Sequence, residues 1–229
     1  MINNNNTIAI IFNGEIYNYN SLRENLLKKG YSFTTKSDTE VILHAYANYG
    51  LKMVDKLRGM FSIVIWDKKK KEIILIRDRI GKKPLFYAHY PNGFVFASEM
   101  KSLLKYSQIN KKISLSSLDQ FICWGYVPGE NTILKSIKRL LPGHILRYSL
   151  SKNKYKILKY WRPQPSVINK SHVDLDNTIR EAVRIRMTSD VPLGAFLSGG
   201  IDSSIIVALM AEYSEKPIKT FSVGFENQK

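Results

Sequence analysis

The chain has 229 residues, 44% of them apolar, which is enough to bury a core in one or two domains. No apolar run approaches the roughly 18 residues needed to cross a bilayer, the opening Met1-Ile2 and its four asparagines are not a secretory leader, and the single cysteine, Cys123, excludes an intrachain disulfide. A net charge of +16 could mark a nucleic-acid or membrane partner, but Lys, Asn and Ile are enriched together, as in an A/T-biased coding sequence, and no basic patch is interleaved with aromatics. The expectation is a soluble, cytoplasmic protein with neither partner.

In chain order, Thr7 to Phe12 predicts a buried strand ending at Asn13-Gly14. Ser21 to Lys29 predicts a helix with Leu22, Leu26 and Lys29 on one face, stopped by Gly30. Tyr31 to Thr35 predicts a short strand. Ser37-Asp38-Thr39-Glu40 has capping-box spacing, with a helix over Val41 to Tyr49. Phe61 to Trp66 and Ile73 to Arg77 are continuous apolar runs rich in β-branched residues, hence buried strands joined by a solvated turn at Lys68 to Lys71. Leu85 to His89 and Phe94 to Ala97 form another pair. Leu115 to Cys123 reads as a helix capped by Ser116, with Cys123 packed as a small hydrophobe. Ile145 to Tyr148 and Tyr155 to Trp161 make a last hairpin.

Composition then shifts. The proline- and serine-bearing stretch 162–173 predicts a linker between a first domain, 1–161, and a second, 174–229. The second should hold a helix from about Leu175 to Met187, a strand over Val191 to Leu197, a helix from Ser203 to Tyr213 and a strand from Ile218 to Phe225. That order is one βαβ unit of a parallel sheet. The four histidines are too far apart in sequence to suggest a metal site.

Two stretches carry chemistry. "FLSGGIDSSI", residues 196 to 205, lies between a strand and a helix. Gly199 and Gly200 allow close backbone approach, the helix start offers free N–H groups, and Ser198, Ser203 and Ser204 add hydroxyls. No lysine follows, so a Walker A loop is excluded. Asp202 is out of place in a phosphate cradle unless Mg²⁺ comes with the phosphate. A tight turn capped by the aspartate fits the residues equally well. "IFNGEIY", residues 11 to 17, holds Asn13-Gly14, which is a hairpin signal. The same pair can also direct an amide and an N–H at one oxyanion.

Ser-Gly-Gly-Ile-Asp-Ser-Ser resembles the pyrophosphate loop of ATP pyrophosphatases. The order of "IFNGEIY", "SDTEVIL", "GMFSIVIWD", "RDRIGKKPLFY" and "FASEMKSL" ahead of it resembles glutamine-hydrolysing asparagine synthetase. The resemblance implies an N-terminal-nucleophile αββα sandwich, followed by the first βαβ unit of an ATP-pyrophosphatase domain. It implies an ATP-dependent carbon–nitrogen ligase that makes asparagine from aspartate, glutamine and ATP through a β-aspartyl-adenylate. It places Asn13 and Gly14 in the oxyanion hole, and Asn13, Gly14, Glu15 and Asp38 around glutamine. Leu197, Ser198, Gly199, Gly200, Asp202, Ser203, Ser204 and Val223 would face ATP and pyrophosphate, with Asp202 toward Mg²⁺ and Leu197 and Val223 contacting the nucleoside through their backbone. For Asp38 a capping role competes. "RDRIGKKPLFY" reads as a structural turn with its charges solvated or at a domain interface. A homodimer is implied for the full-length family.

The family's nucleophile is an N-terminal cysteine whose own amine is the base. Here Met1-Ile2-Asn3 stands at the start, and the family's opening segment, with its glutamine-binding arginine, has no counterpart. The expectation is an internal fragment that does not hydrolyse glutamine alone. Two rival readings remain: a related amidotransferase acting on a sugar or another carboxylate, and a non-catalytic basic module binding nucleic acid.

Overall fold

The computed structural model describes residues 1–164, 174–189 and 191–224. Two compact units divide the chain, Met1–Gln164 and Pro165–Lys229. The first contains β1 (Ile8–Ile16), α1 (Tyr19–Leu27), α2 (Asp38–Tyr49), a 3-10 turn (Gly50–Asp55), β2 (Gly59–Asp67), β3 (Glu72–Arg77), β4 (Phe86–Tyr90), β5 (Gly93–Ala97), α3 (Met100–Leu103), α4 (Leu115–Trp124), β6 (Lys138–Arg139), β7 (His144–Ser149) and β8 (Lys154–Lys159). The second contains α5 (Leu175–Arg184), β9 (Gly194–Phe196), α6 (Ile201–Glu212) and β10 (Lys219–Phe221). The greater part of the expected linker, residues 165–173, lies outside the described residues, as does Phe225.

The continuous apolar runs are strands with both faces covered, as such runs require. Five strands form one antiparallel sheet in the order β1-β2-β3-β7-β8, and three form another, β5-β4-β6. Alternation sends Ile10 and Ile16 of β1, Phe61, Ile63 and Ile65 of β2, and Ile74 and Ile76 of β3 against the buried Leu26, Val41, Ile42 and Met53 of the helical layer. The opposite side chains, Val64, Leu75, Leu146 and Tyr148, meet Leu85, Tyr87 and Leu140 between the sheets. Beyond the second sheet, Ala88 packs with Leu103, Ile109 and Ile137. The layers therefore run helix, sheet, sheet, helix.

Asn13-Gly14 does not turn the chain. Both residues lie within β1, facing Ser62 and Phe61 of β2. The strands approach too closely for a side chain here. A Cβ on Gly14 would sit 2.0 Å from the Met60 carbonyl oxygen, and one on Gly59 would sit 2.1 Å from that of Glu15. Gly14 also has φ +155°, which L side chains rarely adopt.

Several local expectations are corrected. Tyr31 to Thr35 is not a strand, because the Thr34 and Thr35 N–H groups bond to the Glu40 carboxylate instead of to a neighbouring strand. α4 is capped by Ser114, which accepts from the Ser117 N–H, and not by Ser116. The turn at Lys68 to Lys71 is exposed, as expected, and Lys70 in addition folds back onto buried Asp67 at 2.9 Å and onto the Tyr46 hydroxyl at 3.2 Å. The charges of Arg77 and Asp78 are buried. The Asp78 carboxylate accepts from the N–H groups of Phe61, Ile80, Lys82 and Lys83. Arg77 donates to the carbonyls of Lys83, Leu140 and Gly81. Cys123 is exposed, not packed.

In the second unit β9 and β10 pair in parallel, Gly194 opposite Lys219 and Phe196 opposite Phe221, with α6 between them in sequence. α5 and α6 meet over Val183, Leu209 and Met210, and Arg180 bridges Asp176 and Glu212. Among the described residues no helix is long and apolar enough to cross a membrane.

Gly14→Ala is expected to destabilise the first unit by about 3 kcal/mol or more, because a rigid strand must shift to admit the methyl group. Gly125→Ala, at a left-handed helix end with nothing within 4 Å of the added carbon, should cost about 1 kcal/mol. Urea unfolding of the two variants checks the contrast.

Candidate functional site

β1 is an edge strand, and its outer edge is only partly covered. Tyr17 N–H bonds to the Arg58 carbonyl and Lys68 N–H to the Thr7 carbonyl, so odd-numbered residues of β1 pair with β2. Even-numbered residues therefore direct their N–H groups outward. Ile10 N–H is taken by the Met1 carbonyl, and Ile16 N–H by Asp38 Oδ2 at 3.1 Å. Gly14 N–H lies between them on the same edge.

The side chain of Asn13 leaves β1 on the face turned to the second sheet, the face of Ile11 and Glu15. Its Nδ2 donates to Ser98 Oγ at 3.0 Å, just beyond β5. An amide nitrogen carries two protons, so this bond orients the second. Beside Asn13 an apolar groove of about 120 Å³ is lined by Ala9, Ile11, Val64, Trp66, Ile73 and Phe96. Glu15 is half-buried on the same face.

Asp38 opens α2 but does not cap it. Ser37 does, accepting from Thr39 N–H at 3.1 Å. Glu40 does not complete a capping box. Its buried carboxylate accepts from both the N–H and the hydroxyl of Thr34 and of Thr35, at 2.6–3.0 Å. Ser37 N–H reaches only the Thr35 hydroxyl oxygen, so the expected reciprocal bond is relayed through Thr35. Burial disfavours the charged form of Glu40, but these four bonds outweigh it and bring its pKa from 4.5 down to about 2. Asp38 is thereby free to face the β1 edge.

The loop at Ser198 joins β9 to α6. Gly199 takes φ +83°, and Gly200 is the N-cap without any side-chain cap. Asp202 sits in the first turn of the helix and is not its cap. The Ser203 and Ser204 hydroxyls donate to the Gly200 carbonyl, at 3.0 and 2.9 Å, and Ser198 Oγ lies 3.1 Å from Ser203 Oγ. Leu197 N–H bonds to the Phe221 carbonyl, and the Leu197 carbonyl accepts from Ser222 Oγ. A further contact at Leu197 is left to the second lone pair of that carbonyl. Val223 is exposed. No group of three or more potential metal-ligating side chains occurs among the described residues.

In the first unit Asn13, Gly14, Glu15 and Asp38 thus gather about one stretch of strand edge. In the second, Ser198, Gly199, Gly200, Asp202, Ser203 and Ser204 share one loop and helix start. Ser98 and Glu40 were missed by the sequence reading. Ser98 carries no local signal, since only the sheet packing brings it to Asn13. Glu40 was mistaken for a cap because its spacing fits one.

Residues 1–161 match the family described as "Glutamine amidotransferase domain", and residues 174–229 match "Asparagine synthase". Asparagine synthetase [glutamine-hydrolyzing] 1 of Bacillus subtilis is 41% identical over 97% of this chain and 35% of its own length. Putative asparagine synthetase [glutamine-hydrolyzing] 2 of Methanocaldococcus jannaschii is 39% identical over 96% of this chain and 44% of its own. The chain thus spans between a third and a half of these relatives. Among solved structures, glutamine phosphoribosylpyrophosphate amidotransferase from B. subtilis, complexed with ADP and GMP, superposes with a TM-score of 0.50 at 20% identity, over 71% of this chain and 31% of that one. The likeness supports the N-terminal-nucleophile fold of the layered first unit.

A carboxylate held below its usual pKa stabilises the fold above that usual value and loses the contribution as pH falls toward the depressed one. Melting temperature should therefore drop between about pH 5 and pH 2 in the wild type. Glu40→Gln should cost about 1–2 kcal/mol at neutral pH and flatten that drop. Thermal unfolding followed from pH 7 to pH 2 measures both.

Proposed function

The chain belongs to the glutamine amidotransferase domain family, and on that premise we propose that it is part of a glutamine-hydrolysing asparagine synthetase. On this reading residues 1–161 supply the oxyanion donors and the glutamine pocket of the domain that releases ammonia from glutamine, 162–173 link the domains, and 174–229 begin the domain that activates aspartate with ATP. The convergence of Asn13, Gly14 and Asp38 on one open strand edge carries the reading.

Hydrolysis of an amide passes through a tetrahedral oxyanion. The second Asn13 amide proton and the outward Gly14 N–H are fixed donors for it, and fixed donors need no reorganisation as charge develops. Asp38, with Glu15 beside it, takes the α-ammonium of glutamine in charge-assisted hydrogen bonds. In the second domain, the uncapped N–H groups at the start of α6 hold the diphosphate that leaves ATP, and the Ser198, Ser203 and Ser204 hydroxyls join them by turning their protons away from one another and from the Gly200 carbonyl. Leu197 and Val223 border the nucleoside. Asp202 would be the residue to hold Mg²⁺, which usually binds through one or two carboxylates plus phosphate oxygens and would supply neutralisation of the diphosphate charge.

Full identity of the acceptor lies with the whole protein. There, labelled pyrophosphate is expected to exchange into ATP only when aspartate is present. Exchange driven by another carboxylate, or by none, would overturn the aspartate assignment. For the 229-residue chain itself, Mg²⁺-pyrophosphate should raise the melting temperature, with a stabilisation of about 2.7 kcal/mol at a hundredfold excess over Kd. Asp202→Asn should reduce it. Stabilisation by nucleic acid instead, falling steeply with salt, would favour a basic binding module.

A further inference from the structure

We infer that Glu40 is a positioning residue that, through the 34–39 segment, sets the preference of the β1 edge for a ligand bearing an α-ammonium group. The inference rests on the reading that Asp38 receives the ammonium of glutamine, and it deepens that reading.

The segment from Thr34 to Thr39 has no neighbouring strand to hold it, yet its main chain is tethered at residues 34, 35, 37 and 39. The N–H groups of Thr34 and Thr35 end on Glu40, that of Ser37 on the Thr35 hydroxyl, and that of Thr39 on the Ser37 hydroxyl. Arg23 holds the Thr35 carbonyl from outside while lying over the Phe33 ring at 4.4 Å. Every one of these tethers except Arg23 and the Ser37 cap leads to one buried carboxylate, 4% exposed. His44, one turn along α2, approaches Glu40 Oε1 at 3.7 Å and packs against the rings of Tyr31 and Phe33.

Asp38 lies inside this fixed segment. One of its oxygens is committed to Ile16 N–H, which sets the carboxylate against the β1 edge two residues from Gly14. The other oxygen is left for a ligand. A carboxylate recognises an ammonium well only if its direction is held, because a swinging side chain loses entropy on each binding event. Glu40 is buried, and both its oxygens are taken by Thr34 and Thr35. It holds the loop that holds Asp38.

The test titrates the ¹⁵N-labelled chain with L-glutamine and with glutaramate, which keeps the γ-amide and the carboxylate but lacks the α-ammonium. The wild type is expected to prefer glutamine by roughly tenfold or more, the size of a charge-assisted hydrogen bond. Asp38→Asn should abolish the preference. Glu40→Gln should cut it to about threefold or less while leaving glutaramate affinity unchanged, a loss of only part of that bond. Thr35→Val should lower it in part and Thr35→Ser should keep it, which gives a second route if Glu40→Gln does not fold. Full preference retained in both Glu40→Gln and Thr35→Val overturns the proposal. So does an equal loss of both ligands, which would mean a purely structural role. Failure of the underlying reading looks different: the wild type shows no preference or no binding, or Asp38→Asn behaves like wild type. Either result removes the proposal as well.

Discussion

The close approach of β1 and β2 at Gly14 and Gly59 governs the first unit. Two chains can pass this near each other only where neither carries a side chain at the contact, and each glycine here faces a backbone carbonyl. The pairing then stays in phase across Asn13-Gly14. In-phase pairing sends one amide side chain between the sheets and the next N–H out of the sheet edge. A turn at the same residues would have scattered both. β2 is itself held at this register by Asp78, whose N–H donates to the Phe61 carbonyl and whose carboxylate accepts from the Phe61 N–H.

Asp78 and Glu40 use the same physical device. Each is a buried acid whose oxygens are saturated by main-chain N–H groups or by nearby hydroxyls. Hydrogen bonds to a charged acceptor are stronger than neutral ones, and a buried carboxylate with bonds unmade would be costly. A loop wrapped on such a group therefore has one good arrangement. Asp78 orders the 80–83 turn, and Arg77 ties that turn to Leu140. Glu40 orders the approach to α2. Residues without regular secondary structure thus become as definite as the strands they flank.

Most of the architecture was legible in the sequence because two-sided burial leaves a direct mark. The runs at 61–66 and 73–77 have no polar alternation, and they are strands covered on both faces. The βαβ order of the second unit followed from Gly-Gly between two apolar segments. Short elements left no such mark: α3 has four residues and β6 two. Composition misled where a polar residue served a distant partner. Thr34 and Thr35 have strand propensity, but Glu40 took their N–H groups. Arg77 and Asp78 were expected to be solvated or at a domain interface because charge usually stays at a surface, and only the fold supplies the carbonyls and N–H groups that let them be buried. Cys123 looked packed among aromatics, but α4 turns Phe121, Ile122 and Trp124 outward with it. For the candidate site, the residue types and their order could be read. Their grouping came from the family resemblance alone and not from their spacing, because which strand lies at the end of the sheet leaves no local mark.

The second unit shows how a helix start is kept available. α2, α4 and α5 are capped by the side chains of Ser37, Ser114 and Asp174, each accepting from a first-turn N–H. α6 begins at Gly200, which has no side chain to offer, and its nearby serines turn their protons to the Gly200 carbonyl. The first-turn N–H groups are therefore not satisfied by a cap, and the partial positive charge of the helix end is not cancelled by one. Asp202 in that same turn adds a negative charge that repels a bare diphosphate. On the reading proposed above, Asp202 would hold a divalent cation that offsets this repulsion, and the site would then prefer a metal-complexed diphosphate over the free anion. Removing the carboxylate would relax that preference without removing the N–H donors, which separates the two contributions physically.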